Sequence, residues 1–270
     1  MSLVVTLLAT LALVDLVRWS VDEASWVRTA AAVGAGALGS VGLAWSFGPD
    51  AWPTVVVGGV LAAAVWGLTG SKQFYRGGRP GLVAALALAG STLVLLPLAP
   101  ALDGPLTRWY DALDVSGLSS VSVERSAVVL VGGLFLLTTG NRLVRGMLDA
   151  AGTSPTAGEA SLKGGRWLGP LERLFILALA MAGDLTAAAV VIAAKGILRL
   201  PEIRASRPVG SPVTTGGDPS TGAPESRSGA AADDPPAVGA PDTVAEYFLV
   251  GTFTSWILAL LVAGLAQLGA

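Results

Sequence analysis

An all-α bundle of about eight membrane-spanning helices is the fold class this sequence predicts, on three observations. Of its 270 residues 53% are hydrophobic and only 13% are charged, against about 25% charged in an ordinary soluble domain. The apolar residues gather into stretches close to the roughly 20 residues that a helix needs to cross a hydrocarbon core about 30 Å thick. The basic residues fall between those stretches in an alternating, one-sided pattern.

The stretches run, in order, over 2–19, 27–47, 53–70, 81–99 and 126–144, then two within 168–200, and a last one over 244–267. The N-terminal stretch lacks a basic leader and an A-x-A-like cleavage site, so it is read as a spanning helix rather than a secretion signal. The segment 168–200 as a single helix would be about 50 Å long at 1.5 Å per residue, too long for any bilayer. Gly183 and Asp184 sit near its middle. Glycine is a favoured residue just past a helix end and aspartate a favoured N-cap, so a tight helical hairpin is expected there.

The charges test this division independently. With the N-terminus outside, the cytoplasmic segments receive Arg18, Arg28, Lys72, Arg76, Arg79, Arg142, Arg145, Lys163, Arg166, Arg173, Lys195, Arg199, Arg204, Arg207 and Arg227, and the outside segments receive only Arg108 and Arg125. Basic residues concentrate on the cytoplasmic side of membrane proteins. The expected location is the bacterial cytoplasmic membrane, multi-pass, with both termini outside.

Three connections are longer. In the outside segment 100–125, Leu106, Trp109, Tyr110 and Leu113 follow i, i+3, i+4, i+7 spacing, which predicts a short helix lying at the membrane interface, where Trp and Tyr are favoured. The segment 145–167 is Gly-rich and basic. The segment 206–242 holds Pro, Gly, Ser and Ala with almost no large apolar residue; such a composition buries too little surface to offset its ordering entropy. The organisation expected is a transmembrane bundle over 1–204, a disordered cytoplasmic linker over 205–243, and a last helix over 244–270 packing back on the bundle.

The chain contains neither Cys nor His. Thiol nucleophiles, disulfides, Fe–S clusters, Cys/His zinc sites and histidine acid–base chemistry are therefore excluded. No cofactor or metal is expected, nor any P-loop or dinucleotide fingerprint. The sequence Met181–Leu185 is similar to the G-x-G-D of intramembrane aspartyl proteases, but Met181 stands at the first Gly position and the candidate partner, Asp111, falls in an outside loop. Gly77-Gly78-Arg79 and Gly164-Gly165-Arg166 read as flexible inside loops.

Charge within a span is the default pointer to function in such a chain, because it is costly there. The candidate polar cluster comprises Glu172, Arg173, Lys195, Arg199 and Glu246, all near the inner ends of their helices. Each also has a plainer reading. Pro170 suits the first helical position and Glu172 the first turn, beside the positive end of the helix dipole. Lys195 and Arg199 are cations at a helix C-terminus, four residues apart on one face. Thr243 and Glu246 match a capping box. Asp184 is an N-cap, and Asp15 is expected to pair with Arg18 three residues on. Gly36, Ser40, Gly58, Ala62, Gly132 and Gly133 are expected to permit close helix packing.

Three C-terminal stretches, GGRWLGPLERLFILALAMAG, VIAAKGILRLPEI and AEYFLVGTFTSW, resemble the end of an uncharacterised bacterial multi-pass membrane-protein family, a domain of unknown function. The resemblance implies that Glu172, Arg173, Lys195, Arg199, Glu246 and Tyr247 are the family's polar positions. It departs at Gly196 and Leu200 and covers about a third of the chain. It implies a location and no activity.

The functional expectation is a membrane protein, non-enzymatic rather than catalytic, that binds or moves a small solute or lipid at an inner-side site formed by Glu172, Lys195 and Glu246. A scaffold or regulatory subunit recruiting a partner through basic cytoplasmic loops, and an intramembrane enzyme on a lipid-linked substrate, are the alternatives. The expected partners are the lipid bilayer and either another protein or a second copy of the chain, with no nucleic acid.

Overall fold

The computed structural model describes residues 1–20, 25–69, 79–113, 120–152, 165–184, 186–187, 189–190, 193–194 and 243–269. Among these the fold is helical, with no strand. The helices are α1 (Ser2–Ser20), α2 (Ser25–Phe47), α3 (Trp52–Thr69), α4 (Arg79–Leu95), α5 (Pro105–Asp111), α6 (Val123–Thr138), α7 (Gly140–Ala150), α8 (Gly165–Met181) and α9 (Thr243–Leu268). Of the linker expected over 205–243, residues 205–242 lie outside the described residues, as do Lys195 and Arg199.

Four helices, α1, α2, α3 and α9, are long and apolar enough to cross a bilayer, and there are five such spans if α6 and α7 count as one. The stretch expected as one span over 126–144 is in fact broken: α7 turns away from α6 by 51°. Leu143 and Leu148 of α7 are buried while Arg145 and Asp149 are exposed. That two-faced helix suits an interface better than the hydrocarbon core.

The distribution of residues is inverted relative to a soluble domain. Leu38, Leu86, Val94 and Leu130 are each more than 70% exposed, whereas Ser2, Thr6, Thr10, Ser40, Thr139 and Arg173 are buried. Exposed tryptophans gather at two levels. Trp19 and Trp26 stand at one end, and Trp45, Trp52 and Trp109 at the other. Trp26 and Trp45 are 19 residues apart on α2, so about 28 Å separates the levels at 1.5 Å per residue. That matches the hydrocarbon thickness, with aromatic belts at both interfaces.

Helix α1 is central. Its buried positions run round the cylinder, and it packs against α2, α3, α4 and α6. Helices α1, α2 and α3 form one half of the bundle, and α6, α8 and α9 the other. Helix α9 returns to pack on α6, α7 and α8, with Ser255, Ala259, Val262, Ala263 and Ala266 buried along one stripe of helical period.

The end of the bundle where α1 begins is held by contacts to loops. The Ser2 hydroxyl donates to the Pro100 carbonyl (2.7 Å), Asp103 N–H to the Phe47 carbonyl (3.1 Å) and the Ser122 hydroxyl to the Gly269 carbonyl. Met1 and Gly269 therefore lie at the same end of the bundle. Helix α5 stands there at the position expected for the interfacial helix, with Leu106 and Tyr110 against the core and Trp109 exposed. The turn after α8 is as expected: Gly183 has φ +80°, and the Asp184 carboxylate accepts from Ala187 N–H at 2.8 Å.

Close packing of α2 and α3 depends on Gly59. A Cβ there would stand 2.2 Å from Ser40 Cβ, a distance only backbone movement can relieve. Gly59→Ala is expected to lower the stability of the detergent-solubilised protein by about 1–3 kcal/mol, as overpacking does. Gly34→Ala, where a Cβ meets nothing within 4 Å, is the control and should leave thermal melting unchanged.

Candidate functional site

The charged side chains enclosed in the bundle, Arg173, Asp15 and Arg142, gather around the break between α6 and α7. A helix that stops leaves its last carbonyls without intrahelical partners, and hydrocarbon supplies none. Arg173 of α8 fills the need. Its Nε donates to the Leu136 carbonyl in the last turn of α6 (3.1 Å), one terminal nitrogen donates to the Ser255 hydroxyl of α9 (3.2 Å), and the other to Asn141 Oδ1 of α7 (2.6 Å). Arg173 is 1% exposed. One planar guanidinium thus joins four helices, a task its fork of donors performs and an ammonium does not. Gly140 makes room for it, since a Cβ there would stand 2.9 Å from Arg173 Nε.

The next residue after Asn141 builds a second node. Arg142 forms an ion pair with Asp15 of α1 at 3.0 Å, both side chains being largely buried. It also donates to the Trp66 carbonyl (3.2 Å) and the Thr69 hydroxyl (3.4 Å) of α3. The guanidinium carbon lies 3.8 Å from the centre of a Trp66 ring, within cation–π range. The Trp66 indole N–H donates to the other Asp15 oxygen at 2.9 Å. Arg18, one turn beyond, donates to the Gly67 carbonyl.

Two sequence expectations are corrected here. Asp15 pairs with Arg142 rather than with Arg18: the local three-residue spacing loses to a partner 127 residues away that can be fully enclosed. Pro170 is not at the first position of its helix. Helix α8 begins at Gly165 and carries Pro170 inside it, which places Glu172 beyond the first turn. Its carboxylate instead accepts from the Trp256 indole N–H of α9 at 3.0 Å, with the Phe253 ring edge-on to Trp256.

Of the candidate cluster, Glu172 and Arg173 are therefore adjacent on α8 and both bond to α9. Glu246 belongs to the first turn of α9. Sequence reading passed over Asn141, Ser255, Trp66 and Trp256 as partners, and took Arg142 only as a cytoplasmic charge. The one available signal was the polar run Thr138-Thr139-Gly140-Asn141-Arg142 at the end of an apolar stretch. The Thr139 hydroxyl, fully buried at the break, has no hydrogen-bond partner among the described residues.

Among the described residues no group of three or more Asp and Glu could hold a metal ion. No protein-family model, no curated protein and no solved structure matches the chain.

Removing one partner of the enclosed pair leaves an uncompensated charge, which costs about 3–5 kcal/mol. Arg142→Ala and Asp15→Ala should each lower thermal stability by that order. The double variant should cost clearly less than the sum, as a double-mutant cycle on purified protein would measure. Arg173→Lys should destabilise nearly as much as Arg173→Ala, because one ammonium cannot span acceptors on three other helices.

Proposed function

We propose that this chain is a non-enzymatic integral membrane protein of about eight spans that binds or moves a small solute or lipid through a gate at the inner end of the bundle. The broken helix carries the reading. Discontinuous helices that meet buried polar groups mark ligand pathways in membrane transporters. Here the break at Thr139-Gly140 stands between two arginine nodes, one reaching the α1–α3 half and the other the α8–α9 half. The two halves also pack through α1 and α6, and the separable polar contacts that tie them at this level have the form of a latch. Glu172, Lys195 and Glu246, all assigned to that inner level, would receive the ligand when it opens, and Arg199 would anchor its helix at the interface. Kinship with the uncharacterised bacterial family rests on the C-terminal motifs that contain Glu172, Arg173, Lys195 and Glu246 and belongs to the same proposal.

The inner end is assigned to the cytosol by the charge distribution, which puts both termini outside. Because the chain has no cysteine, single cysteines report position without background. Cysteines at Thr156 and Gly216 should both be protected from an impermeant maleimide in intact cells and labelled in inverted vesicles. Labelling of the two on opposite faces would overturn the arrangement.

The gate is tested at the break itself. Thr139→Cys should be labelled slowly in inverted vesicles and at least about tenfold faster when Asp15→Asn weakens the latch, as a change of roughly 1.4 kcal/mol in an opening equilibrium requires. A Thr139→Cys equally inert in both backgrounds, in a protein that remains folded and membrane-inserted, would sink the gate.

A further inference from the structure

At the opposite end of the bundle, α5 and the first two turns of α6 leave a groove of about 590 Å³ between them, closed at its far end by Met181 of α8. This volume lies within the range of small-ligand pockets. Leu106, Trp109 and Tyr110 form one wall, and Ala127 and Leu130 belong to the other. The polar groups along it are turned toward one another. The Tyr110 hydroxyl bonds to the Val121 carbonyl (3.0 Å) and to the Ser126 hydroxyl (2.8 Å), so the walls present carbon.

Arg125 is the one charged residue among those lining the groove. Its side chain is half-buried and makes no hydrogen bond or ion pair among the described residues. Its sequence neighbour Glu124 interacts electrostatically with the Met1 ammonium. Trp109, which lines the groove, is exposed, and tryptophan is favoured where hydrocarbon meets headgroups.

Each feature selects the occupant. An apolar trough below the interface is bathed in acyl chains. A cation at its rim, without a carboxylate of its own, stands where the phosphate of that lipid lies. We infer that the groove between α5 and α6 is a binding site for an anionic phospholipid of the adjacent leaflet, one acyl chain between Tyr110 and Ala127 and the headgroup phosphate on Arg125. This site is separate from the inner-end gate and does not depend on it.

Full-length protein can be reconstituted in nanodiscs of equal phosphatidylglycerol and phosphatidylcholine, extracted into mild detergent, and weighed by native mass spectrometry. The wild type should retain phosphatidylglycerol preferentially. Arg125→Gln should cut that preference about fivefold, the contribution of one cation near a membrane surface. Arg108→Gln, an exposed arginine on α5 outside the groove, should leave it unchanged. Ala127→Phe, which fills the trough, should reduce retention of both lipids. A phosphatidylglycerol with a photoreactive acyl chain should crosslink within 105–113 or 121–130 and give a result even if a variant folds poorly. Undiminished preference in Arg125→Gln, equal loss in Arg108→Gln, crosslinks confined to other segments, or a second copy of the chain retained in place of lipid would overturn the site.

Discussion

Hydrocarbon offers no hydrogen-bond partner, so a charged side chain admitted to this bundle must find its partners within the protein. That requirement organises the half of the molecule around the α6–α7 break. Asn141 and Arg142 are consecutive in the first turn of α7, and consecutive positions on a helix point in different directions. One reaches Arg173 and with it α8 and α9, while the other reaches Asp15 and with it α1 and α3. A single helical turn thereby fixes both halves of the bundle at the same level. The apolar surfaces of the same helices, interchangeable with lipid tails, supply packing but little preference for one register over another.

The break in the span and the buried arginine explain each other. Ending α6 at Thr138 exposes carbonyls that nothing apolar could satisfy, and burying a guanidinium at 1% exposure demands acceptors that an unbroken helix does not offer. Arg173 Nε on the Leu136 carbonyl meets both needs. Gly140 completes the arrangement by bringing backbone against the flat face of the guanidinium. No proline is involved. The bend follows from side chain–backbone satisfaction, one of the recognised causes of a kink.

Features governed by local rules were legible in the sequence. The apolar stretches, the interfacial helix around Trp109 and Tyr110, and the Asp184 cap all follow from composition, periodicity or capping preference within a few residues. The partners of the charges were not. A three-residue spacing pointed Asp15 at Arg18, and nothing local to Asp15 names Arg142 or the Trp66 indole. Pro170 looked like a helix start because proline is usually tolerated there in water. Within a membrane protein neighbouring helices can satisfy the group that a proline frees, and α8 runs through it. Glu172 and Arg173 were singled out by their cost in a span, which is a property of the residue. Their roles came from Trp256, Ser255 and Asn141, which are properties of the fold.

The two ends of the bundle are closed by different physics. At the end where α6 breaks the ties are charge-assisted and enclosed, so they are strong when made and switch off together once water or a competing charge enters. At the opposite end the ties are single hydroxyl bonds, Ser2 to Pro100, Ser122 to Gly269 and Tyr110 to Ser126, beside a groove whose walls are carbon. Such contacts tolerate small displacements, because apolar surface slides without losing directional bonds and lipid fills the space it leaves. A relative movement of the two halves would therefore have to break the ties of Arg142 and Arg173 as well as slide the packed faces of α1 and α6. The position of greatest polar constraint coincides with the only bent span among the described residues, so the ties that close this end are the ones the break itself calls for.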